Sequence, residues 1–209
     1  MSLENTQATA AGMRPDAESA ARFEAAEAFI SSVIADGSTA IPGVLVGHKA
    51  TGDMMLPMTF SDEQEKALFL RIAHAVFLAK DVEAYTVISE VWIAQHDRDA
   101  VQAGDSIPAP SEDPNRTEGF MVLHRTRDLC RMRVYSIERK DDDDINGFTL
   151  SQEHVSREAD GSFGGAMANL LEASPSRDKK TAANLFLMVA SQAGLIDLGM
   201  LDQDERTLN

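Results

Sequence analysis

The chain is short of cysteine, aromatic residues and positive charge. Its 209 residues include one cysteine, aromatics make up 6%, and 19 Lys and Arg stand against 34 Asp and Glu, for a formal net charge of -15. A single cysteine excludes an intramolecular disulfide, which agrees with a reducing compartment. The shortage of cations argues against binding to nucleic acid or to an anionic membrane surface, since both need basic residues to meet phosphates.

Long apolar runs are missing as well. No stretch approaches the roughly 18 apolar residues that a membrane-spanning helix needs, and the first residues lack the order of a signal peptide. The composition, 44% hydrophobic and 25% charged, is that of an ordinary globular protein. We therefore expect a soluble cytoplasmic protein without a membrane partner.

Motifs for metal or cofactor binding are also lacking. The histidines are dispersed and form no short-spaced pair: His48, His74, His96, His124 and His154. Because zinc sites in proteins are built from closely spaced or paired ligands, this pattern predicts no metal site. No glycine-rich phosphate loop follows a strand, so we expect no cofactor.

The hydrophobic periodicity that is present predicts an α+β fold. Helical spacing appears near residues 16–36, after Ser61 with Gln64 in a capping-box pattern, and after Pro175. Strand-like runs are predicted at 44–48, 54–60, 83–95, 120–127, 130–140 and 148–157. This order does not alternate as in a doubly wound fold. It predicts a mainly antiparallel mixed sheet of about five or six strands flanked by three main helices.

The same reading divides the chain into one domain with flexible ends. Residues 1–14 are small and polar and predict a disordered arm, residues 15–200 a single α+β domain, and residues 201–209 a frayed tail. A long Pro-rich loop is predicted at 96–117. Loops of this length are usually functional or mobile, and the sequence leaves both readings open.

Three packing expectations follow from the pattern. Pro57 removes a backbone donor, which predicts that its strand lies at a sheet edge. The run 83–95 has large apolar residues on both of its faces, so we expect a central strand with Trp92 near the core. The last helix is expected to bury one stripe, formed by Ala182, Leu185, Phe186, Val189 and Ala193.

The predicted strands 120–127 and 130–140 form a hairpin that is positively charged, whereas the chain as a whole is acidic. Six cations outnumber two acids there: Arg125, Arg127, Arg131, Arg133, Arg139 and Lys140 against Asp128 and Glu138. With Asp128 and Leu129 as the turn, Leu123 lies opposite Val134 and Arg125 opposite Met132. A three-residue turn would instead oppose arginines, at a cost of about 0.2–1 kcal/mol per pair, so we prefer the first register.

In that register the apolar side of the hairpin faces the core and His124, Arg131, Arg133 and Tyr135 share the outward face. These four residues are candidate ligands for a carboxylate, a phosphate or an acidic partner segment, since arginine presents a planar fork to such groups. The alternative is a solvated face whose arginines pair with the chain's own acids. The sequence thus favours a non-catalytic interaction or self-association module, with a homo-oligomer or an acidic protein as partner.

A small enzyme acting on an anionic substrate is the alternative function. Glu90 lies within the apolar central strand, and a buried carboxylate is a candidate base, as is His124. Arg133 would hold the anion. Cys130 lies beside Arg131, and nearby cations lower a thiol's pKa, although a nucleophilic cysteine would also need a nearby base. The alternative, which we favour, is a small thiol in a strand that only packs.

Overall fold

The structure is a computed structural model that describes residues 17–94, 112–140, 144–156, 170–171 and 175–197. The predicted arm (1–14), the predicted tail (201–209) and most of the predicted loop (96–117) lie outside these residues. The described helices and strands are α1 (Ala17–Ala35), β1 (Val44–Lys49), β2 (Gly52–Pro57), α2 (Glu63–Ala79), β3 (Ala84–Ile93), β4 (Thr117–Thr126), β5 (Cys130–Arg139), β6 (Ile145–Ser156) and α3 (Arg177–Gln192).

The six strands form one sheet in the order β2-β1-β3-β4-β5-β6. Every pairing between them is antiparallel. Strands β3, β4 and β5 each pair with the next strand along the chain. Helix α2 connects β2 to β3, and these two strands lie on opposite sides of β1. The predicted α+β class with three helices is confirmed. Pro57 ends β2, an edge strand, as predicted.

Helices cover both faces of the sheet. On one face α2 and α3 pack over a core that includes Leu45, Tyr85, Val87 and Leu123. On the other face α1 lies over Ile88, Phe120 and Val122. The α1 residues that make this contact are Phe23, Ala26 and Ile30, which recur at helical spacing and are 0%, 5% and 0% exposed. Because both faces of the sheet are covered there, the interior contains two apolar layers.

The start of α2 differs from the predicted cap by one residue. The N-cap is Asp62, whose Oδ1 accepts hydrogen bonds from the backbone N–H groups of Gln64 and Glu65, both at 2.8 Å. The Glu65 carboxylate in turn accepts from the backbone N–H of Ser61 at 2.7 Å. A carboxylate cap also suits the positive end of the helix dipole, which explains why Asp62 takes the position predicted for Ser61.

The turn of the β4–β5 hairpin lies one residue earlier in the chain than predicted. Leu123 lies opposite Met132 and Arg125 opposite Cys130, two residues away from the predicted partners Val134 and Met132. Thr126 causes the difference. Its Oγ1 accepts from the N–H of Leu129 at 3.1 Å, and its own N–H donates to the Leu129 carbonyl at 2.8 Å, which closes a four-residue turn. A two-residue shift leaves every side chain on its predicted face.

The outer half of β3 is less covered than predicted. Residues 84–88 are buried on both faces, but Trp92 is 47% exposed, so its predicted place near the core is wrong. The Arg116 guanidinium lies 4.5 Å from the centroid of the indole ring. Large apolar residues continue along β3 through Trp92 and Ile93, but burial stops at Ile88. The pattern of the strand alone does not show how far the helices cover it.

The buried stripe of α3 is also different from the prediction. Ala183, Leu187 and Ala190 are buried, whereas Leu185 and Val189 are 56% and 63% exposed. Helix α3 carries apolar residues on two adjacent faces, and α2 covers only one of them. Periodicity identifies both faces as apolar but does not show which one meets the neighbouring helix.

Candidate functional site

A polar layer lies between α1 and the sheet, within an otherwise apolar interface. Four of its members are nearly inaccessible to solvent: His48 at 6%, Thr86 at 4%, His124 at 1% and Arg131 at 5% exposed. Buried polar groups are costly unless they are hydrogen-bonded, so their partners define what this layer can do.

The first part of the layer is a chain of hydrogen bonds across four strands. Asp53 Oδ1 lies 2.9 Å from His48 Nδ1, and His48 Nε2 lies 2.8 Å from Thr86 Oγ1. Thr86 Oγ1 also lies 3.1 Å from His124 Nδ1. Strand pairing brings these residues together, because His48 is opposite Asp53 and Thr86 is opposite His124.

One assignment of protons satisfies the whole chain. If Nδ1 of His48 donates to the Asp53 carboxylate, its Nε2 accepts from the Thr86 hydroxyl, and that hydroxyl accepts from Nδ1 of His124. His48 is then neutral. Burial lowers the pKa of His48, and the hydrogen bond to Asp53 opposes this effect only in part. The lowered pKa agrees with a neutral His48.

The second part of the layer is a cluster of ion pairs. Arg131 donates from Nε and Nη2 to Glu153 Oε1, at 2.9 and 2.6 Å. Arg133 donates to the same oxygen at 3.0 Å and, from Nη1, to Glu27 Oε1 at 2.9 Å. The Tyr135 hydroxyl also donates to Glu27. Glu153 of β6 therefore binds both arginines, and Glu27 of α1 binds Arg133 as well.

The ring of Phe23 completes this cluster. The guanidinium carbons of Arg131 and Arg133 lie 5.2 and 4.7 Å from its centroid, within the range of cation–π contact. Glu27, one turn after Phe23 in α1, accepts a hydrogen bond from Arg133. Arg22, the residue before Phe23, donates to Asp53 at 2.7 Å. Helix α1 is thus docked by charged side chains that precede and follow Phe23 in the helix.

The predicted outward face of the hairpin is therefore an internal face. His124, Arg131, Arg133 and Tyr135 do share one side of the sheet, but the expectation that the guanidinium groups point into solvent is wrong, because α1 lies over them. Of the two readings of the arginines, the geometry favours pairing with the chain's own acids. A binding role for these four residues stays a prediction.

The pKa values of the cluster follow from the same contacts. Burial raises the pKa of Glu153, but the hydrogen bonds from Arg133 and Arg131 outweigh it and leave the pKa below its ordinary value. Burial raises the pKa of Tyr135, and the neighbouring Glu27 raises it further. The lowered pKa keeps Glu153 charged at neutral pH, and the raised pKa keeps the Tyr135 hydroxyl protonated.

The two candidate bases do not converge on one site. Glu90 is exposed, not buried as expected, and accepts a hydrogen bond from the backbone N–H of Ile41 at 2.7 Å. It lies four residues along β3 from Thr86, the partner of His124, a separation of about 13 Å in a strand. The cavities found among the described residues are lined by other side chains.

Cys130 has the opposite character to the one expected of a nucleophile. It is free and 3% exposed. Burial raises the pKa of its thiol and outweighs the lowering effect of Arg125, which is the nearby cation in the structure. The expected lowering of this pKa is therefore wrong, because loss of hydration opposes the thiolate more strongly than one guanidinium supports it.

Metal ligands and membrane spans can be judged for the described part of the chain. Within those ranges no three side chains of His, Cys, Asp or Glu are grouped so that they could hold a metal ion. None of the described helices is both long and apolar enough to cross a membrane.

Three members of the polar layer, His48, Asp53 and Thr86, were not among the residues that the sequence pointed to as a site. His48 and Asp53 flank the tight turn at residues 50 and 51 and face each other across the hairpin, so their closeness in sequence is the signal that could have found them. For Thr86 there was none, because its partners lie 38 residues away in both directions.

Comparisons with known proteins add no assignment. The chain matches no family model, no curated protein and no solved structure.

Proposed function

We propose that this protein is a non-catalytic interaction module that self-associates through the outward face of α3. One observation carries the proposal: α3 is apolar on two faces, and the described part of the chain covers only one of them. The outward face contains Leu185, Met188 and Val189, which are 56%, 49% and 63% exposed. Contiguous exposed apolar surface of this kind is typical of protein contacts.

The spacing of these residues suits a helix–helix contact. They stand at positions i, i+3 and i+4, so they form one stripe, and Ala182 on the turn before is small enough to let another helix approach closely. An antiparallel pair of α3 helices would place the two stripes against each other around a two-fold axis. Leu185 of one copy would then face Val189 of the other.

The charges of α3 favour an antiparallel partner. Its first turn contains Arg177 and Lys179 beside a single acid, Asp178. Cations are disfavoured at the positive end of their own helix dipole but are stabilised near the negative end of another helix. In the proposed dimer the first turn of one α3 lies beside the last turn of the other. A two-fold contact of this type is the commonest form of self-association.

The hairpin face that contains Arg131 and Arg133 is not the contact surface in this proposal, although the sequence pointed to it. Arg131 is 5% exposed and both Arg131 and Arg133 are bound to Glu153. An acidic partner would have to displace these internal carboxylates and α1 together. This burial argues for a contact through α3 rather than through the hairpin.

A catalytic reading has less support. Asp53, His48 and Thr86 follow the order acid, base and hydroxyl that activates a nucleophile in hydrolases. However, Thr86 is 4% exposed and lies under α1, so a substrate carbonyl cannot reach its hydroxyl. The arrangement supports a structural role, in which the chain of hydrogen bonds satisfies groups that α1 buries.

Sedimentation equilibrium tests the proposal. We expect the wild-type chain to behave as a dimer that dissociates on dilution, and Leu185→Lys or Val189→Glu to produce monomers. Leu150→Glu, a change at a residue of β6 that is 46% exposed, is the matched control and should leave the dimer intact. A wild-type monomer at all concentrations, or dissociation by Leu150→Glu, would contradict the proposal.

Mixing the two variants tests the antiparallel arrangement. In a heterodimer the lysine introduced at position 185 of one chain would face the glutamate introduced at position 189 of the other, and the remaining pair would stay apolar. We therefore expect Leu185→Lys and Val189→Glu chains to associate when mixed, although neither does so alone. A parallel arrangement would show no such rescue.

A further inference from the structure

A second apolar surface lies beside the sheet edge, separate from the outward face of α3. It is a groove of about 390 Å³, which falls within the range of ligand-binding clefts in proteins. Helix α2 forms one wall, β2 forms the other, and residues 195–197 close one end. Two exposed apolar side chains belong to it, Met55 at 50% and Leu195 at 52%.

The α2 wall is a continuous helical stripe. Its residues are Glu65, Leu68, Phe69, Ile72 and Ala73, which stand at i, i+3, i+4, i+7 and i+8. Leu68, Phe69 and Ile72 are only partly buried, although they are apolar and lie mid-helix. The stripe spans nine residues, from Glu65 to Ala73, or about 12 Å of helix axis. This length corresponds to a little more than two turns of a second helix lying alongside.

The charge of the groove is one-sided. Its two charged lining residues are both acidic, Glu65 near the start of α2 and Asp197 after α3, and among the described residues no Lys, Arg or His lines it. The chain as a whole carries a net charge of -15. A second copy of this chain or an anionic lipid surface would bring like charge to these carboxylates, which is unfavourable.

We infer that this groove binds a short amphipathic helix of a partner protein, with large apolar residues on one side and Lys or Arg beside them. The apolar residues of the partner would lie against Leu68, Phe69 and Ile72, in the way that helices bind hydrophobic grooves. Its cations would meet Glu65 and Asp197. The inference is independent of the proposed dimer, because the outward face of α3 contributes no residue to the groove.

A pair of synthetic peptides tests this inference on the full chain. Both are labelled 14-residue amphipathic helices with the same leucine stripe, and the polar positions are Lys in one and Glu in the other. Fluorescence anisotropy should show saturable binding of the Lys peptide, with the Glu peptide bound at least about tenfold more weakly. Added salt should weaken the binding of the Lys peptide, since part of the attraction is between exposed charges.

Two matched variants locate the site. Leu195→Lys places a cation at a lining residue of the groove and should weaken the binding of the Lys peptide at least about tenfold. Trp92→Lys adds the same charge at a residue of similar exposure, 47% against 52%, on the central strand β3, and should leave the affinity unchanged. Urea unfolding of each variant checks that both remain folded.

Three results would overturn the inference. They are no saturable binding of the Lys peptide, equal affinity for the two peptides, or equal weakening by Trp92→Lys. The variant Leu185→Glu distinguishes this inference from the proposed dimer, because it changes the outward face of α3 and not the groove. If that variant abolishes peptide binding, the peptide occupies α3 and the groove is not its site, whereas loss of the dimer with unchanged peptide affinity leaves the inference intact.

Discussion

The hydroxyl of Thr86 lies 2.8 Å from Nε2 of His48, although the two residues are 38 positions apart in the chain. The same hydroxyl meets His124 on its other side. One threonine on the central part of the sheet thus forms hydrogen bonds with two histidines that α1 seals from solvent. Its hydroxyl is the group on which the whole polar chain depends.

Replacing Thr86 with valine should therefore be costly. The substitution keeps the shape of the side chain but removes the hydrogen bonds to His48 and His124, and a buried group that loses its partner costs about 1–3 kcal/mol. We expect a loss of this size in the free energy of unfolding, measured by urea titration. Thr149→Val, on the exposed part of β6, is the control and should change the value by less than about 0.5 kcal/mol.

The pH dependence of stability should report His48. Burial lowers the pKa of His48 below its ordinary value of 6.5, with Asp53 acting in the other direction. The unfolded chain therefore takes up this proton before the folded chain does as pH falls. Stability that depends on neutral His48 is full above pH 6.5 and declines as pH falls toward the lowered pKa.

We expect His48→Gln to remove part of this slope. Unfolding free energies at a series of pH values from about 7.5 to 5.5 should fall more for the wild type than for the variant. His154→Gln, at a half-buried histidine of β6 outside the polar layer, should retain the wild-type slope. Parallel curves for the wild type and His48→Gln would show that His48 does not titrate as the geometry indicates.

The docking of α1 can be tested at Glu27. Its carboxylate accepts from Arg133 at 2.9 Å and from the Tyr135 hydroxyl. Glu27→Ala should destabilise the fold by about 1–2 kcal/mol, since two partly buried donors lose their acceptor. Glu24→Ala, an exposed change on the same helix, should have little effect. Amide hydrogen exchange should also show that α1 opens more readily in Glu27→Ala; equal protection in both variants would contradict the role of the ion pair.

Two glycines of the sheet should respond differently to alanine. A Cβ at Gly119 would clash with the carbonyl oxygen of Tyr135 and lie 2.5 Å from Ile93 Cδ1. A Cβ at Gly147 would meet only Glu138 Oε2, at an ordinary distance of 3.7 Å. We expect Gly119→Ala to cost about 3 kcal/mol, because backbone must shift to admit the methyl group. Thermal unfolding should show Gly147→Ala close to the wild type, and similar losses at both positions would contradict the packing.

Local pattern explains how much of this fold could be predicted from sequence. The strands and the faces of the hairpin follow from alternation with a period of two, so Leu123 faces one side and His124 the other whichever turn is chosen. The register error of two residues arose from Thr126, whose side chain helps to close the turn one residue earlier than predicted. A hydroxyl that substitutes for a backbone acceptor is not visible in hydrophobic periodicity.

The parts that could not be predicted depend on contacts between distant segments. The arginines looked exposed because nothing in their own strand shows that α1, 106 residues away in the Arg133–Glu27 pair, lies over them. Likewise the choice between the two apolar faces of α3 is made by α2. In the chain of hydrogen bonds only His48 and Asp53 are close in sequence, and Thr86 and His124 join them through strand order.

The ion pairs that attach α1 also bear on the order of folding. Strands β3 to β6 pair with their neighbours along the chain, which fixes little conformational entropy per contact, whereas the arrival of α1 must close a loop of about a hundred residues. We expect the sheet formed by β3 to β6 to fold early and α1 to pack against it late. Water would then leave the histidines and arginines only at this last step, and would return to them whenever the first helix lifts away.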